Sequence, residues 1–224
     1  MCGRFVQKKS VREYGTLFHS RITGPGRPPS CNVAPGEPVL AVRRTDPVKG
    51  PEIWAPVWGL IPRWAREGAF RRPINARIET VSEKPAFRDS FRHRRCLVPA
   101  EGYYEWKAEA DGKQPFWFHR SDGGTLALAG LWDTWEDPGG TKKDTFALLV
   151  RPARAEIVPI HDRMPVLLPE ESWEDWLDPS LSDPPAIRTL LDRNDTLPLV
   201  WYPVGKSVND PKNDGEELIR PLGP

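Results

Sequence analysis

The sequence predicts an α+β fold, with a mostly antiparallel, barrel-like β core and short flanking helices. Strand patterns fill the middle of the chain and helical patterns lie towards its ends. Proline accounts for 26 of 224 residues, roughly twice the usual share of about 5%, so we expect short elements and many turns. Ten tryptophans argue against disorder, because disordered chains are poor in aromatic residues. We expect a single domain over residues 1–224.

The helical patterns are few and short. Ser10 and Glu13 fit a capping box, and the apolar positions that follow at helical spacing are Val11, Tyr14, Leu17 and Phe18. A second helix is predicted over about 83–94, and two more over 169–177 and 186–193.

Strand candidates occupy the middle of the chain. They cover residues 38–44, 53–60, 95–99, 102–107, 115–119, 125–132 and 145–150. Two glycine-containing stretches, 121–124 and 138–140, are typical of hairpin ends.

Charge is divided unevenly between the two parts of the chain. Residues 1–100 carry 19 Lys and Arg against 8 Asp and Glu, whereas residues 101–224 carry 13 against 23. Fifteen of the first nineteen are arginine, whose planar group suits phosphate. The asymmetry indicates a nucleic-acid or membrane-surface partner, unless the two halves neutralise one another across the fold.

The chain contains no segment that predicts membrane insertion or export. No stretch approaches the roughly 18 apolar residues of a membrane span, and the first residues lack the apolar core of a secretory signal. The three cysteines form no C-x-x-C pair. We therefore expect a reducing, cytoplasmic setting, with Cys31 and Cys96 as inert buried thiols.

Cys2 is the first candidate for chemistry because of its position. Methionine is normally removed before a small second residue, and Cys2 would then carry an α-amine beside its thiol. An α-amine has a pKa of about 7.7–8.0, so part of it is neutral at physiological pH. Such a 1,2-aminothiol condenses with an aldehyde to a Schiff base, and the thiol then closes a thiazolidine. Two alternatives stay open: the thiol attacks an acyl group, or Cys2 is an accident of the start.

A series of motifs accompanies Cys2 in a fixed order. They are MCGRF at 1–5, NVAPG at 32–36, WGLIPRW at 58–64, NARIET at 75–80, CLVPAEGYYEWK at 96–107, IHDRMP at 160–165 and VNDPKNDGEELI at 208–219. Together they resemble the SOS response-associated peptidase (SRAP) family, whose members are abasic-site sensors that crosslink to DNA. The resemblance runs from Cys2 to the tail.

The resemblance implies four catalytic residues. Cys2 matches the cysteine that closes a thiazolidine with the ring-opened sugar, and Asn75 matches the asparagine that holds the amino terminus and the sugar. Glu105 matches the catalytic glutamate, a proton shuttle, and His161 the catalytic histidine. In a strand over 102–107, Glu105 shares a face with Tyr103. From the residues alone, Glu105 could instead face solvent, His161 could belong to a structural polar cluster and Asn75 could cap a turn.

The resemblance also implies contacts with DNA. Arg4 and Arg77 match arginines that contact phosphate, and Trp64 matches a tryptophan that stacks on bases beside the lesion. The sequence departs from the family at Val150, where relatives commonly carry threonine, and at 65–67, where some have a second tryptophan. Loss of one hydrogen bond at Val150 costs about 0.5–1.5 kcal/mol, which predicts weaker activity but not its loss.

The resulting hypothesis is a sensor that captures abasic sites in single-stranded DNA through Cys2 after Met1 removal, acting as a monomer. One rival is a cysteine peptidase that uses Cys2, His161 and Glu105 on polypeptides, including its own Met1; the other is a non-covalent single-strand binder. No metal or other cofactor is expected, because the four histidines show no metal-ligand spacing. The expected location is the cytoplasm, and the nucleoid when DNA is bound.

Overall fold

Two β-sheets form the framework of the described chain. The computed structural model describes residues 2–66, 68, 70–192 and 197–223. Its strands are β1 (Arg4–Gln7), β2 (Arg21–Ile22), β3 (Ser30–Val33), β4 (Ala41–Arg43), β5 (Glu52–Trp54), β6 (Val57–Trp58), β7 (Asn75–Arg77), β8 (Arg95–Ala100), β9 (Gly102–Glu109), β10 (Gly112–Arg120), β11 (Leu126–Glu136), β12 (Lys142–Pro152), β13 (Arg163–Pro165) and β14 (Leu199–Pro203).

The sheets are mostly antiparallel. One has the strand order β14-β10-β9-β1-β3, and the other has the order β13-β12-β11-β8-β4-β5-β2. The parallel pairs in the second sheet join β6 and β7 to β12, and β2 to β5. The predicted α+β class is therefore confirmed. The described strands form two open sheets and no closed barrel.

The core is layered because alternate strand residues face opposite sides. Cys96 and Val98 of β8 pack between the two sheets, whereas Leu97 faces a second apolar cluster beneath the helices. Tyr104 of β9 faces the outer side of the five-stranded sheet, where it packs with apolar residues of the C-terminal part of the chain. Tyr103, its neighbour, points between the sheets. Glu105 lies two positions further along the strand, so it points between the sheets as well.

The helices are short and pack mainly on the outer face of the second sheet. They are α1 (Val11–Leu17), α2 (Arg88–His93), α3 (Trp173–Leu177) and α4 (Pro184–Asp192), with single 3₁₀ turns at Glu170–Ser172, Lys206–Asn209 and Glu216–Ile219. The capping box is confirmed, since Ser10 accepts from the Glu13 amide and the Glu13 side chain accepts from the Ser10 amide. Arg193, the last residue of the predicted fourth helix, lies outside the described residues.

Prolines explain where the predicted elements were too long. The helix expected over 83–94 begins only at Arg88, because Pro85 disfavours helical geometry in the residue before it and lacks an amide donor. The strand expected over 53–60 is divided into β5 and β6 around Pro56 for the same lack of a donor. The stretch 121–124 connects β10 in one sheet to β11 in the other and is not a hairpin end, whereas 138–140 does close the β11–β12 hairpin.

A buried arginine joins two of these helices to β8. The Arg95 guanidinium donates to the carbonyls of Phe91, Arg92, Trp176 and Asp178 at 2.5–3.1 Å. Burial lowers its pKa to about 10, so Arg95 remains charged at neutral pH. Its positive charge lies at the C-terminal ends of α2 and α3, where the helix dipoles favour a cation.

We expect Arg95→Met to destabilise the fold by about 2–3 kcal/mol, because the apolar volume is kept while buried carbonyls lose their donor. Urea denaturation measures the change in the free energy of unfolding. Arg92→Met, at an exposed position of the same helix, is the matched control and should change stability little. Equal stabilities of the two variants would contradict this role of Arg95.

Candidate active site

Cys2 lies directly before β1 and is completely buried between the two sheets. β1 is an inner strand with β9 on one side and β3 on the other, so the start of the chain is held from both sides. Burial, and then the charge of Glu105, raise the pKa of the Cys2 thiol well above its ordinary value. The thiol is therefore neutral at physiological pH, and Glu105 lies within electrostatic reach of it.

Asn75 connects Cys2 to the opposite sheet. It is the first residue of β7 and pairs with Leu148 of β12. Its Nδ2 donates to the Cys2 carbonyl at 2.8 Å, while its Oδ1 is buried without a hydrogen-bond partner among the described residues. An unused buried acceptor is costly, so Asn75 holds Cys2 and also presents an acceptor beside it.

Glu105 is a buried carboxyl on β9. Only 1% of the residue is exposed, and burial raises its pKa to about 7. Both protonation states are thus populated at neutral pH, as general acid–base catalysis requires. The solvent-facing alternative for Glu105 is wrong, because the side chain points between the sheets like Tyr103.

His161 lies next to Glu105. Its Nε2 is 3.8 Å from Glu105 Oε2, and its Nδ1 accepts from the Arg163 amide at 3.0 Å. The exposed Asp162 carboxylate is also 3.0 Å from Nδ1. Burial is the main cause that lowers the pKa of His161. The Arg163 amide, which can only donate, favours a neutral ring with its proton on Nε2, towards Glu105, whereas the Asp162 carboxylate favours a proton on Nδ1.

An open cavity of about 550 Å³ leads outward from these two residues. It is lined by Glu105, Trp106, Asp111, Lys113, His161, Lys206 and Asn209. Lys113 is close enough for its charge to contribute to the lowered pKa of His161. No motif pointed to Lys113, whereas Trp106 and Asn209 lie within the quoted motifs without an assigned role.

Trp64 is held in an exposed position by its two neighbours. The backbone and side chain of Arg63 both donate to Asp133 at 3.0 Å, and the Ala65 carbonyl accepts from Trp135 Nε1 at 2.8 Å. Trp64 itself is 57% exposed. The backbone around Trp64 is therefore held at the surface and its ring is exposed, which is the arrangement needed for stacking on a base.

The two arginines predicted to contact phosphate differ in their surroundings. Arg77, at the end of β7, is exposed, and its guanidinium has no hydrogen-bond or ion-pair partner among the described residues. The Arg4 guanidinium instead donates to Asn32 and to the carbonyls of Val208 and Asn209. The structure thus leaves Arg77 available to a ligand and binds Arg4 to the C-terminal part of the chain.

Val150, where the sequence departs from the family, lies in β12 opposite Arg77 and is fully buried. By alternation with Phe146 and Leu148 it faces the inter-sheet side, as Cys2 does. The reduced activity expected from the missing hydroxyl stays a prediction.

The described residues form no second reactive cysteine site and no metal site. Cys31 and Cys96 are buried free thiols. Within the described ranges, no three His, Cys, Asp or Glu side chains cluster as metal ligands would. No helix in that part of the chain is long and apolar enough to span a membrane.

Comparison with known proteins identifies the family of the chain. The family model described as SOS response associated peptidase (SRAP) matches residues 1–211. The chain belongs to the SRAP family. It is 35% identical over 223 residues to the abasic site processing protein YoqW of Bacillus subtilis, covering 98% of this chain and 99% of that one. It is 32% identical over 230 residues to the abasic site processing protein YedK of Escherichia coli, covering 99% and 100%.

Solved structures resemble this SRAP-family fold as well. A protein from Bordetella bronchiseptica has a TM-score of 0.76 at 26% identity, over 91% of this chain and 100% of that one. A protein from Bacteroides thetaiotaomicron has a TM-score of 0.73 at 27% identity, over 96% and 91%. The SRAP resemblance inferred from the motifs is confirmed.

Proposed function

We propose that this protein captures abasic sites in single-stranded DNA by forming a thiazolidine at Cys2 after Met1 has been removed. The observation that carries the proposal is the position of Cys2, with its carbonyl bound by Asn75 and its thiol within reach of the Glu105 charge. Relatives that match nearly the whole chain are named abasic site processing proteins, which supports the same class of substrate.

The reaction needs no oxidant or metal. The sugar of an abasic site opens to an aldehyde, and the Cys2 amine adds to C1′ and forms a Schiff base with loss of one water. Cys2 Sγ then bonds to C1′ while the thiol proton passes to the nitrogen, which closes the five-membered ring. Because this last step is intramolecular, a neutral thiol is sufficient.

Glu105 and His161 supply the proton transfers. The Glu105 carboxylate accepts the proton of the C1′ hydroxyl and returns it to the ring oxygen, which opens the sugar. His161 Nε2 faces Glu105, so the pair can exchange protons during formation and reversal of the Schiff base. The free Oδ1 of Asn75 provides an acceptor for the Cys2 amine.

The same electrostatics disfavour a general cysteine peptidase. Such enzymes lower the pKa of the thiol, commonly with a protonated histidine beside it. Here the pKa of the Cys2 thiol is raised and that of His161 is lowered. A neutral thiol and a neutral imidazole favour capture of an aldehyde by the amine over attack on a peptide bond.

The decisive experiment mixes the protein with a single-stranded oligonucleotide that carries one abasic site and separates the products on a denaturing gel. We expect a shifted band that requires the lesion and disappears in Cys2→Ala. Cys31→Ala, which removes another buried thiol on the opposite side of the five-stranded sheet, is the matched control and should keep the band.

Mass spectrometry of the same sample establishes whether Met1 is absent. A Met1-free protein that forms no denaturation-resistant adduct would exclude covalent capture. Cleavage of unrelated polypeptides would then favour the peptidase, and lesion-independent binding would favour the non-covalent single-strand binder.

Trp64→Ala should weaken binding to undamaged single-stranded DNA by about 1–3 kcal/mol, the usual contribution of a base stacked on an aromatic ring. Fluorescence anisotropy at fixed salt measures this affinity. Trp64→Phe keeps an aromatic face and should retain most of the affinity. Equal losses in both variants would show that the aromatic surface of Trp64 is not the contact.

A further inference from the structure

The C-terminal segment, defined here as residues 204–219, packs on the outer face of the five-stranded sheet. Val208 and Leu218 are fully buried there against Val6 and Tyr104. Val6 belongs to β1, so the C-terminal segment lies directly on the strand that follows Cys2.

Asn32 of β3 is the main polar anchor of this segment. It is only 2% exposed, and its Nδ2 donates to three carbonyls, those of Val208 (3.3 Å), Asp210 (3.0 Å) and Asn213 (2.8 Å). Its Oδ1 accepts from Arg4 Nη1 at 2.7 Å. Both ends of the amide are thus used to bind the segment to β1.

Arg4 completes the anchor from β1 itself. Its Nη1 also donates to the Val208 carbonyl at 2.8 Å, and its Nη2 to the Asn209 carbonyl at 3.4 Å. Arg4 is two residues from Cys2, so a displacement of the segment is transmitted to the start of β1. Because Arg4 is so close to Cys2 along the chain, its hydrogen bonds to the segment bear on the position of Cys2 and not only on overall stability.

Asn209 places part of the C-terminal segment in the wall of the cavity described above. Its Oδ1 accepts from Trp106 Nε1 at 2.7 Å, and the residue lines the cavity that Glu105 and His161 also line. One wall of this cavity is therefore built from the C-terminal segment, although the cysteine comes from the other end of the chain.

We propose that residues 206–209 of the C-terminal segment are part of the reaction site and that Arg4 and Asn32 are positioning residues that act through them. The proposal rests on the proposed function. Arg4 holds the segment and the first strand in register and does not serve as a phosphate ligand. The consequence is a specific split: loss of the anchor slows the covalent step and leaves DNA affinity unchanged.

Asn32→Asp tests the anchor with almost no change of shape. The carboxylate still accepts from Arg4, but it has no donor for the three carbonyls and repels them. We expect the crosslinking rate at saturating abasic DNA to fall at least tenfold, with the half-saturating DNA concentration unchanged. Glu216→Gln, which removes an exposed ion pair with Lys8, is the control on the same segment and should keep the wild-type rate.

Arg4→Gln separates positioning from phosphate contact. We expect it to lower the saturated rate like Asn32→Asp, and the double variant to be no slower than either single variant, because both break one unit. The salt dependence of affinity for undamaged single-stranded DNA should stay unchanged. Arg77→Gln should instead reduce the slope of log affinity against log salt by about 0.7, the value for one lost phosphate contact.

The inference is overturned if Arg4→Gln reduces the salt slope while its saturated rate stays at the wild-type value. It is also overturned if Asn32→Asp crosslinks at the wild-type rate. Should Asn32→Asp fail to fold, Asn209→Ala replaces it, since Asn209 is exposed and its loss opens the cavity wall; an unchanged rate there overturns the inference. A wild-type protein that forms no adduct refutes the proposed function instead.

Discussion

Glu105→Gln is expected to slow formation of the DNA adduct by about 10²–10⁴-fold, the usual contribution of a general acid–base group. Glutamine keeps the size of the side chain but cannot exchange a proton. Single-turnover crosslinking with an abasic oligonucleotide, quenched at intervals and resolved on a denaturing gel, measures the rate. The large effect follows from the burial of Glu105, which is only 1% exposed and so limits its replacement by water.

The pH dependence of the crosslinking rate tests whether Glu105 is the acid–base group. Because its pKa is about 7, the reactive carboxylate accumulates as pH rises through 7, and the wild-type rate should bend there. Glu105→Gln should lose this inflection. Glu101→Gln, at a partly exposed carboxyl that binds Lys9, should keep it. An inflection near pH 7 that persists in Glu105→Gln would assign it to another group.

The same substitution should stabilise the folded protein at alkaline pH. The Glu105 pKa is raised from 4.5 to about 7, so the folded state binds more protons than the unfolded state between these values. Stability therefore falls as pH rises through this window and stays reduced above it. Removing the ionisable proton removes a cost of about 3 kcal/mol at pH 8.

Urea denaturation of wild type and Glu105→Gln at pH 4 and pH 8 measures this difference. The variant should gain stability relative to wild type at pH 8. The gain should shrink at pH 4, where the wild-type carboxyl is mostly protonated in both the folded and the unfolded protein. A gain that is independent of pH would mean that packing, not the buried charge, is responsible. The expected outcome is an exchange of stability for reactivity.

Local patterning predicted the parts of the fold and site that depend on neighbouring residues. The long strands β8 to β12 were all anticipated, and the alternation along β9 placed Glu105 on the face of Tyr103. The motifs brought Cys2, Asn75 and Glu105 into one hypothesis. The structure brings these residues together, while their roles in the reaction stay predictions.

Other features depended on contacts between distant parts of the chain. β1, β3 and β7 have three or four residues each, too few to show a period of their own, and neighbouring strands determine their conformation. The surroundings of Arg4 could not be read locally either, because its partners Val208 and Asn209 lie more than 200 positions away.

The inner position of β1 has a consequence for biosynthesis. β1 lies between β9 and β3 and under residues 204–219, so its full set of neighbours exists only after residue 219 has been synthesised. At about 5–20 residues per second, synthesis from Met1 to residue 219 takes about 10–45 s. While Met1 remains, the Cys2 nitrogen is an amide and cannot condense with cellular aldehydes. For as long as Met1 is retained, it therefore protects the Cys2 nitrogen from these aldehydes.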